Sequence, residues 1–358
     1  SGAAVQVATV TPVLTQSTAN VAVNAATMVI NGFGFDTTAS NNSVLLSNGA
    51  AGTVTSATNT ALTVTFSFSP SAAGGLTAVV TTNGVSSGAA VQVANSRPVV
   101  TSSTVNQLAT ATTVTINGFG FDPVASRNLI AFNNGAIGTV TTATKTSLIV
   151  TYTIKPKAAG SLTAIVVTNS IASGSATQIG TVIPVVTSSV ASISASGTAL
   201  TINGFGFSPT AANNTLTLSN GAAGTVTAAT NTSLTVNLTT KPTTAGTLTA
   251  VVTSNSIGSG SAVQVATVTP SVTAANGNLL ANAATVTING FGFDTTPGNN
   301  TVVFNNGAVG TVTAATATAL TVTLSAAPTA SNNLTAVVTS NNLSSGAAVK
   351  IANVLPVV

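Results

Sequence analysis

The chain has 358 residues and a formal net charge of +4, and only 3% of its residues are charged, against about 25% in a typical soluble domain. Histidine and cysteine are absent, which excludes a disulfide framework and a Cys/His zinc site. Most groups used for general acid–base catalysis are also missing. Seven basic residues are too few for a phosphate-binding stripe. We therefore expect neither an enzyme nor a nucleic-acid-binding protein.

Long uncharged stretches occur, but they do not predict a membrane span. Residues 158–240 carry no charged side chain. Threonine, asparagine, serine and glycine interrupt every apolar run before it reaches the roughly 18 residues that a spanning helix needs. No signal peptide or lipid-attachment motif is visible. The sequence predicts no membrane span.

A repeat of constant length organises the chain. The motif Asn-Gly-Phe-Gly-Phe begins at Asn31, Asn117, Asn203 and Asn289, and each step is 86 residues. Prolines and Asn-Gly pairs keep the same spacing. The repeat predicts the last strand of a preceding module at 1–11, four modules at 12–97, 98–183, 184–269 and 270–355, and the start of another at 356–358.

Within a repeat, apolar and polar residues alternate with a period of two. In chain order, the first repeat predicts short strands at 27–30, 43–46, 52–55, 62–66, 76–80 and 89–93. Turn signals lie at Asn48-Gly49, Pro70, Gly74-Gly75 and Asn83-Gly84. About seven strands in such a length are typical of an immunoglobulin-like β-sandwich. A β-solenoid is the competing architecture, but its repeats usually have about 20–30 residues. We predict an all-β fold of four tandem immunoglobulin-like sandwiches.

The repeated motifs resemble a known family. Pro-Val-Val-Thr is followed by Thr-Val-Thr-Ile-Asn-Gly-Phe-Gly-Phe and later by Leu-Thr-Ala-Val-Val-Thr-Ser-Asn. These elements are similar to IPT/TIG domains, and the resemblance covers all four repeats. It implies an immunoglobulin-like fold and a role in extracellular arrays such as bacterial surface proteins. It carries no catalytic set.

The Gly-Phe-Gly-Phe elements are candidate packing motifs. Two phenylalanines at i and i+2 of a strand share one face, so we expect both members of each pair to fill the sandwich core. The alternative places one of them at a contact with a neighbouring module or chain. The residues are Phe33, Phe35, Phe119, Phe121, Phe205, Phe207, Phe291 and Phe293.

Three aspartates occupy one repeat position. Asp36, Asp122 and Asp294 each follow the second phenylalanine, and Ser208 stands there in the third repeat. A calcium ion held by these carboxylates and nearby oxygens is one hypothesis. An Asx turn, in which the carboxylate accepts local backbone N–H groups, is the other. One carboxylate per module favours the turn, so we expect no metal or other cofactor.

Other polar residues give weaker patterns. The N-glycosylation pattern Asn-x-Ser/Thr occurs at Asn41, Asn213, Asn231, Asn237, Asn299 and Asn342, although chance matches are expected in so polar a chain. We interpret the basic residues as scattered, non-repeating surface positions. They include Arg127, Lys145, Lys155, Lys157, Lys241 and Lys350.

Composition and repetition together favour a structural role. Charge normally keeps proteins apart, so a nearly neutral β-rich surface indicates that association is the purpose. We predict an extracellular or cell-surface structural subunit of a filament, sheath or surface layer, with copies of itself as partners. Residues 1–10 are predicted to donate a strand to another module. The alternative is the stalk of a bacterial adhesin whose glycan- or host-binding domain lies outside this sequence.

Overall fold

The computed structural model describes residues 2–357, and strands make up most of its regular structure. Two compact units form, each containing two repeats. One comprises Ser1–Gln107, Ala111–Pro156 and Ser161–Val182, and the other comprises Leu108–Thr110, Lys157–Gly160 and Ile183–Val358. Ser1 and Val358 lie outside the described residues.

The first two modules have the same order of elements. The first contains β1 (Val13–Leu14), β2 (Asn20–Ala22), β3 (Thr27–Phe33), a 3₁₀ turn (Ala39–Asn41), β4 (Asn42–Leu46), β5 (Ala51–Ala57), β6 (Ala61–Phe68), β7 (Gly74–Thr82), β8 (Val85–Ser86) and β9 (Val91–Arg97). The second contains β10 (Val99–Val100), β11 (Asn106–Leu108), β12 (Thr113–Phe119), a 3₁₀ turn (Ala125–Arg127), β13 (Asn128–Phe132), β14 (Ile137–Ala143), β15 (Ser147–Ile154), β16 (Gly160–Thr168), β17 (Ile171–Ala172) and β18 (Thr177–Ile183).

The third and fourth modules repeat that order. The third contains β19 (Val185–Val186), β20 (Ser192–Ser194), β21 (Ala199–Phe205), a 3₁₀ turn (Ala211–Asn213), β22 (Asn214–Leu218), β23 (Ala223–Ala229), β24 (Ser233–Thr240), β25 (Gly246–Ser254), β26 (Ile257–Gly258) and β27 (Val263–Thr269). The fourth contains β28 (Ser271–Val272), β29 (Asn278–Leu280), β30 (Thr285–Phe291), a 3₁₀ turn (Pro297–Asn299), β31 (Asn300–Phe304), β32 (Val309–Ala315), β33 (Ala319–Ala326), β34 (Asn333–Ser340), β35 (Leu343–Ser344) and β36 (Val349–Leu355).

Each module is a sandwich of two sheets. In the first module one sheet has the order β1-β3-β6-β5, and the other has the order β2-β9-β7-β4 with β8 beside β7. Most neighbours are antiparallel, but β2 runs parallel to β9, with Asn20 opposite Asn95. The other three modules have equivalent sheets. The predicted all-β fold of four tandem immunoglobulin-like sandwiches is confirmed.

Alternation along the strands builds each core. In the first module Ile30, Leu62 and Val64 from one sheet meet Leu76 and Val80 from the other, and all five are fully buried. The intervening residues, largely threonine, face outward. Valine and threonine suit such a half-buried pleated surface because their branched side chains pack well on it.

The predicted turns form where Asn-Gly pairs occur. Asn48 and Gly49 have φ angles of 56° and 68°, and Asn83 and Gly84 have 50° and 78°. Two consecutive positive φ angles define a tight type I′ turn, for which Asn-Gly is the preferred sequence. The turn at Asn83-Gly84 joins the paired strands β7 and β8, whereas the turn at Asn48-Gly49 joins β4 and β5, which lie in different sheets. The sequence analysis missed β1, β2 and β8, because strands of two or three residues are too short to show an alternating pattern.

The amino-terminal segment forms no strand between residues 2 and 12. Each of the four modules already holds its own last strand, which is β9, β18, β27 or β36. These sandwiches therefore offer no unfilled groove for residues 1–10, and donation would require a module that lacks its last strand. Within residues 2–357, the helices are single 3₁₀ turns, and none has the length and apolar character needed to cross a membrane.

Candidate functional site

The phenylalanine pairs differ from the prediction that both members fill the core. Phe33 is 64% exposed, whereas Phe35 is 5% exposed. The strand β3 ends at Phe33, and Gly34 follows with a φ of 76°. A left-handed residue reverses the chain direction, so the two rings do not alternate as they would in a continuous strand. The Phe35 ring then turns back onto Gly32, where a Cβ would lie 2.5 Å from the ring.

The same division holds in the other modules. Phe121, Phe207 and Phe293 are fully buried. Phe119 and Phe205 are 45% and 42% exposed. The first member of each pair is the more exposed one, and the alternative expectation, a contact with a neighbouring module, holds for Phe291.

Phe291 gives the clearest example of such a contact. It begins the Phe-Gly-Phe element of the fourth module, yet it packs against the core of the third. The Nζ atom of Lys241 lies 4.2 Å from the centre of the Phe291 ring, a geometry that attracts a cation to the negative face of the ring.

Gly120 lies where the first and second modules meet. We call this contact the joint; it consists of Gly120 and Asn169 of the second module and Val23 and Ala73 of the first. The Gly120 carbonyl accepts a hydrogen bond from the Ala73 N–H at 3.0 Å. Val23 packs on its Cα, and a Cβ at Gly120 would lie 2.7 Å from both Val23 methyl groups. The side-chain amide of Asn169 donates to the Ala73 carbonyl at 3.2 Å. The first and second modules thus meet here through backbone groups and the Asn169 amide.

The second compact unit contains the same joint. Gly292 accepts from the Ala245 N–H at 2.8 Å, and a Cβ at Gly292 would lie 2.5 Å from Ala195. The Asn341 amide donates to the Ala245 carbonyl at 3.0 Å. Inside this unit Gly206 repeats the pattern, because it accepts from the Ala159 N–H at 2.7 Å.

The second glycine of the motif differs in burial between the first module and the other three. Gly120, Gly206 and Gly292 are buried, while Gly34 is exposed. All four have φ angles between 74° and 77°, so they share one backbone geometry. The glycines of the Gly-Phe-Gly-Phe motif thus serve two purposes: the first admits a core ring, and the second admits a neighbouring module.

The aspartates that follow the second phenylalanine of the motif accept hydrogen bonds from nearby backbone and asparagine N–H groups. Asp122 is buried, and its carboxylate accepts from the Val124 N–H at 2.8 Å and from the Asn169 amide at 3.1 Å. In the first module Asp36 accepts from the Thr38 N–H at 2.7 Å and from the Asn83 amide at 2.8 Å. These are Asx turns, the second of the two hypotheses. In the second module Asp122 also accepts from Asn169, the asparagine that donates to the Ala73 carbonyl across the joint.

The calcium hypothesis receives no support from this arrangement. The carboxylate oxygens of Asp36 already accept two N–H groups. Within residues 2–357, no group of three or more acidic, histidine or cysteine side chains could hold a metal ion, and a calcium site built from one carboxylate with amide and backbone oxygens stays a hypothesis. In the third module the Ser208 hydroxyl accepts from the Thr210 N–H at 3.3 Å, so a neutral residue takes part of the same role.

The same contacts shift the pKa values of the carboxyl groups. The Asn83 amide, followed by the Thr38 N–H, lowers the pKa of Asp36 from 3.8 to about 2. The Val124 N–H lowers the pKa of Asp122, and the Thr296 N–H lowers that of Asp294. In each of these three modules the folded state therefore favours the charged carboxylate.

We expect the Asp36 turn to be stable at neutral pH and to weaken in strong acid. Because its pKa in the folded state is below 3.8, the stabilisation is complete above about pH 4 and is lost as the pH falls through about 2. The amide resonances of Thr38 and of the Asn83 side chain should move together across this range. The Thr210 amide, held by Ser208 instead, is the internal control and should not move with them. A Thr38 midpoint near 3.8 would contradict the prediction.

A buried asparagine beside each aspartate was missed in the sequence. Asn42 is 5% exposed, and its amide donates to the carbonyls of Asp36 and Thr38 at 2.8 and 3.0 Å. Its Oδ1 accepts from the Thr82 hydroxyl at 2.9 Å. Asn128, Asn214 and Asn300 repeat it. The constant 86-residue spacing of this residue, beside a variable neighbour, is the signal that could have found it.

The asparagines equivalent to Asn169, and one pair of lysines, also recur with the 86-residue spacing. Asn83, Asn169, Asn255 and Asn341 recur every 86 residues while the following residue varies, yet Asn83 was read only as part of a turn. Lys155 and Lys241 are also 86 residues apart, so the interpretation of the basic residues as non-repeating was wrong for this pair. Arg97 is likewise engaged, because its Nη1 donates to the Ser173 carbonyl at 2.9 Å.

The glycosylation candidates lie in different settings. Asn41, Asn213 and Asn299 are exposed at the ends of the 3₁₀ turns, and Asn342 is exposed in a tight turn. Asn237 is exposed within β24. Asn231 is half-buried, and its amide donates to the Phe207 carbonyl at 3.1 Å. Glycosylation stays a prediction at these positions.

Comparison with known proteins leaves the family open. No family model matches the chain, and no curated protein matches it. Among solved structures, three immunoglobulin domains of a titin variant share 11% identity over 73% of this chain and 97% of theirs, with a TM-score of 0.20. The S-layer protein rSbsC shares 14% over 97% of this chain and 54% of its own, with a TM-score of 0.17. The Escherichia coli adhesin FdeC shares 15% over 88% and 98%, with a TM-score of 0.20. Such values carry no functional argument.

Proposed function

We propose that this chain is a non-enzymatic structural segment of an extracellular filament, sheath or surface layer. The observation that carries the proposal is the joint, in which identical backbone contacts link modules of constant length. Repeated modules with equivalent contacts can extend an array by stacking, each joint adding the same nearest-neighbour interaction. An enzyme or a receptor with one binding site gains nothing from such repetition.

The near absence of charge supports self-association. With 3% charged residues and no histidine, contacts between copies bury few ions and need no titration near neutral pH. Such contacts would respond weakly to salt, and we expect no pH response between about 5 and 9. These properties suit material that persists outside a cell, and the partners we propose are other copies of the chain.

The sheet faces are the surfaces proposed for lateral packing. In the first module, Thr27, Thr65 and Thr53 lie in register across three strands, and the Thr55 and Thr65 hydroxyls are 3.0 Å apart. Equivalent threonine rows occur in the second and fourth modules. The outer strand β5 has a bulge between Val54 and Ser56. Since bulges hinder edge-to-edge pairing, we favour contacts through the neutral faces.

The bacterial surface location belongs to the same proposal. It follows from the resemblance of the Gly-Phe-Gly-Phe repeats to IPT/TIG domains, together with the absence of cysteine and the neutral surface. The stalk of an adhesin is the alternative function, because a row of joined modules would equally hold a binding domain at a distance. No calcium or other cofactor forms part of either proposal.

Electron microscopy of the native material with image averaging tests this function. We expect fibres or sheets whose repeat contains an integral number of 86-residue modules. Comparison of low and high salt supplies a control, and the order should persist in both. Separate flexible rods with no lateral order, each ending in a distinct domain, would contradict the filament and support the adhesin stalk.

A further inference from the structure

A cleft opens beside the joint between the first and second modules, and both of its walls belong to one compact unit. Its volume is about 320 Å³, which lies in the range of small-molecule sites. We call it the joint cleft and define it by Asn24 and Ser69 of the first module and Phe119, Lys145 and Thr146 of the second. Phe119 is 45% exposed and the other four are exposed, so all five are accessible to a ligand.

The polar side chains of the joint cleft have no protein partners. Among residues 2–357, the Asn24 amide and the hydroxyls of Ser69 and Thr146 make no hydrogen bond, and the Lys145 ammonium has no carboxylate within ion-pair distance. An amide offers two donors and an acceptor, a hydroxyl offers a donor and an acceptor, and an ammonium offers three donors. The cleft therefore presents uncharged hydrogen-bonding groups around a single cation.

The ring of Phe119 keeps an open face in this cleft. At the equivalent joint between the third and fourth modules, the Lys241 Nζ lies 4.2 Å from the centre of the Phe291 ring. Ser69 stands at the position of Lys241, two repeats earlier, and its short side chain brings no cation to that face. Weakly positive C–H groups pack on the negative face of an aromatic ring. Phe119 is thus available for stacking, whereas Phe291 is covered.

Basic side chains gather at this joint and at no equivalent position in the other modules. Arg97 donates to the Ser173 carbonyl at 2.9 Å across the joint, and Arg127 pairs with Asp122 at 3.4 Å. Lys145 is therefore the cation left to attract an anion. Uncharged residues replace these three cations in the other repeats: Ile183, Thr269 and Leu355 for the first, Asn41, Asn213 and Asn299 for the second, and Asn59, Asn231 and Ala317 for the third.

We propose that the joint cleft binds an acidic sugar unit of an anionic polysaccharide. The Lys145 ammonium pairs with the sugar carboxylate, the C–H face of the sugar ring packs on Phe119, and Asn24, Ser69 and Thr146 hydrogen-bond to its hydroxyls. A single cation among neutral amide and hydroxyl groups suits a ligand with one charge and many hydroxyls. This site goes beyond the structural function, because it assigns a ligand to one joint of the array.

Titration of the isotope-labelled whole chain, followed by nuclear magnetic resonance, tests the site. The probes are short oligomers of galacturonic, glucuronic, mannuronic and guluronic acid, each also prepared as its uncharged methyl ester. We expect at least one acid to bind with a Kd of about 1 mM, typical of a small contact around one ion pair. It should move the amide resonances of Gly120, Lys145 and Thr146. Its methyl ester should bind at least tenfold more weakly, because it lacks the charge that pairs with the ammonium.

Matched variants locate the contact. Lys145→Ala should weaken binding of that acid at least tenfold, and Phe119→Ala about tenfold, whereas Lys145→Arg should retain it. Lys350→Ala removes an equal charge from the fourth module, and Phe33→Ala removes the exposed ring at the same motif position of the first. Both controls should leave the Kd unchanged. The amide spectra should show that every variant is folded.

The opposite results would overturn the inference. Failure of every acid to bind would do so, as would equal binding of the acids and their methyl esters. Equal losses in Lys145→Ala and Lys350→Ala would show attraction to overall charge and no defined site. Poly-glutamate and phosphatidylglycerol vesicles are the competing anionic partners, and tighter binding of either at Lys145 would overturn the assignment of a sugar. None of these results concerns contacts between copies, so microscopy tests the structural function separately.

Discussion

Replacing Phe121 with alanine should destabilise the second module by about 3–5 kcal/mol, the usual cost of deleting a buried aromatic ring. Phe119→Ala should cost about 1 kcal/mol or less, because exposed side chains contribute little to unfolding free energy. The two residues are two positions apart and chemically identical, yet Phe121 is fully buried and Phe119 is 45% exposed. The two variants therefore test whether the second phenylalanine of each Gly-Phe-Gly-Phe element packs in the core while the first does not.

Hydrogen exchange measures this effect better than a single melting curve, since a tandem array does not unfold in one two-state step. Amides of β12 and β15 should exchange at least a hundredfold faster in Phe121→Ala, a factor that corresponds to about 3 kcal/mol. Amides of the fourth module serve as the internal reference. Equal acceleration by both variants would show that the two rings share the core, as the sequence alone predicted.

Placing alanine at Gly120 should open the joint between the first two modules. An alanine pays about 1–2 kcal/mol in the left-handed region, and Gly120 has a φ of 74°. The new methyl group would also lie 2.7 Å from the Val23 methyl groups, and such overpacking adds about 1–3 kcal/mol. The overpacking is relieved if the two modules separate. We therefore expect the contacts of the joint to be lost before either module unfolds.

Gly34→Ala is the matched control. Its φ of 76° imposes the same backbone strain, but its nearest neighbours would lie 3.5 Å from the added Cβ. The Ala73 amide, which donates to Gly120 in the closed joint, should exchange at least tenfold faster in Gly120→Ala than in Gly34→Ala. Identical exchange of this amide in the two variants would mean that the joint does not depend on the glycine.

The strands and turns that depend on residues close together in the chain could be predicted from the sequence. Alternating valine and threonine indicated the longer strands, and Asn48-Gly49 and Asn83-Gly84 indicated tight turns that the structure contains. Such elements depend on backbone preferences over a few residues. The short strands β1, β2 and β8 depend instead on pairing with distant strands, and their own residues carry no alternating signal.

The joint required contacts that no local pattern contains. Asn169 and the Ala73 carbonyl are 96 residues apart in sequence. The aspartates show the same limit. One carboxylate per module favoured an Asx turn over a cation site, but the sequence did not identify the Asn83 amide as a second donor to the Asp36 carboxylate.

The 86-residue repeat, the all-β class, the main turns and the neutral surface can be predicted from the amino-acid sequence, because these properties are sums over residues or patterns along a strand. Long-range packing sets which phenylalanine enters the core, which glycine admits a neighbouring module, and which asparagine links two modules. Those roles depend on the left-handed turn at Gly34 and its copies. That turn sends chemically identical side chains into different surroundings, and those surroundings come from residues far away in the chain.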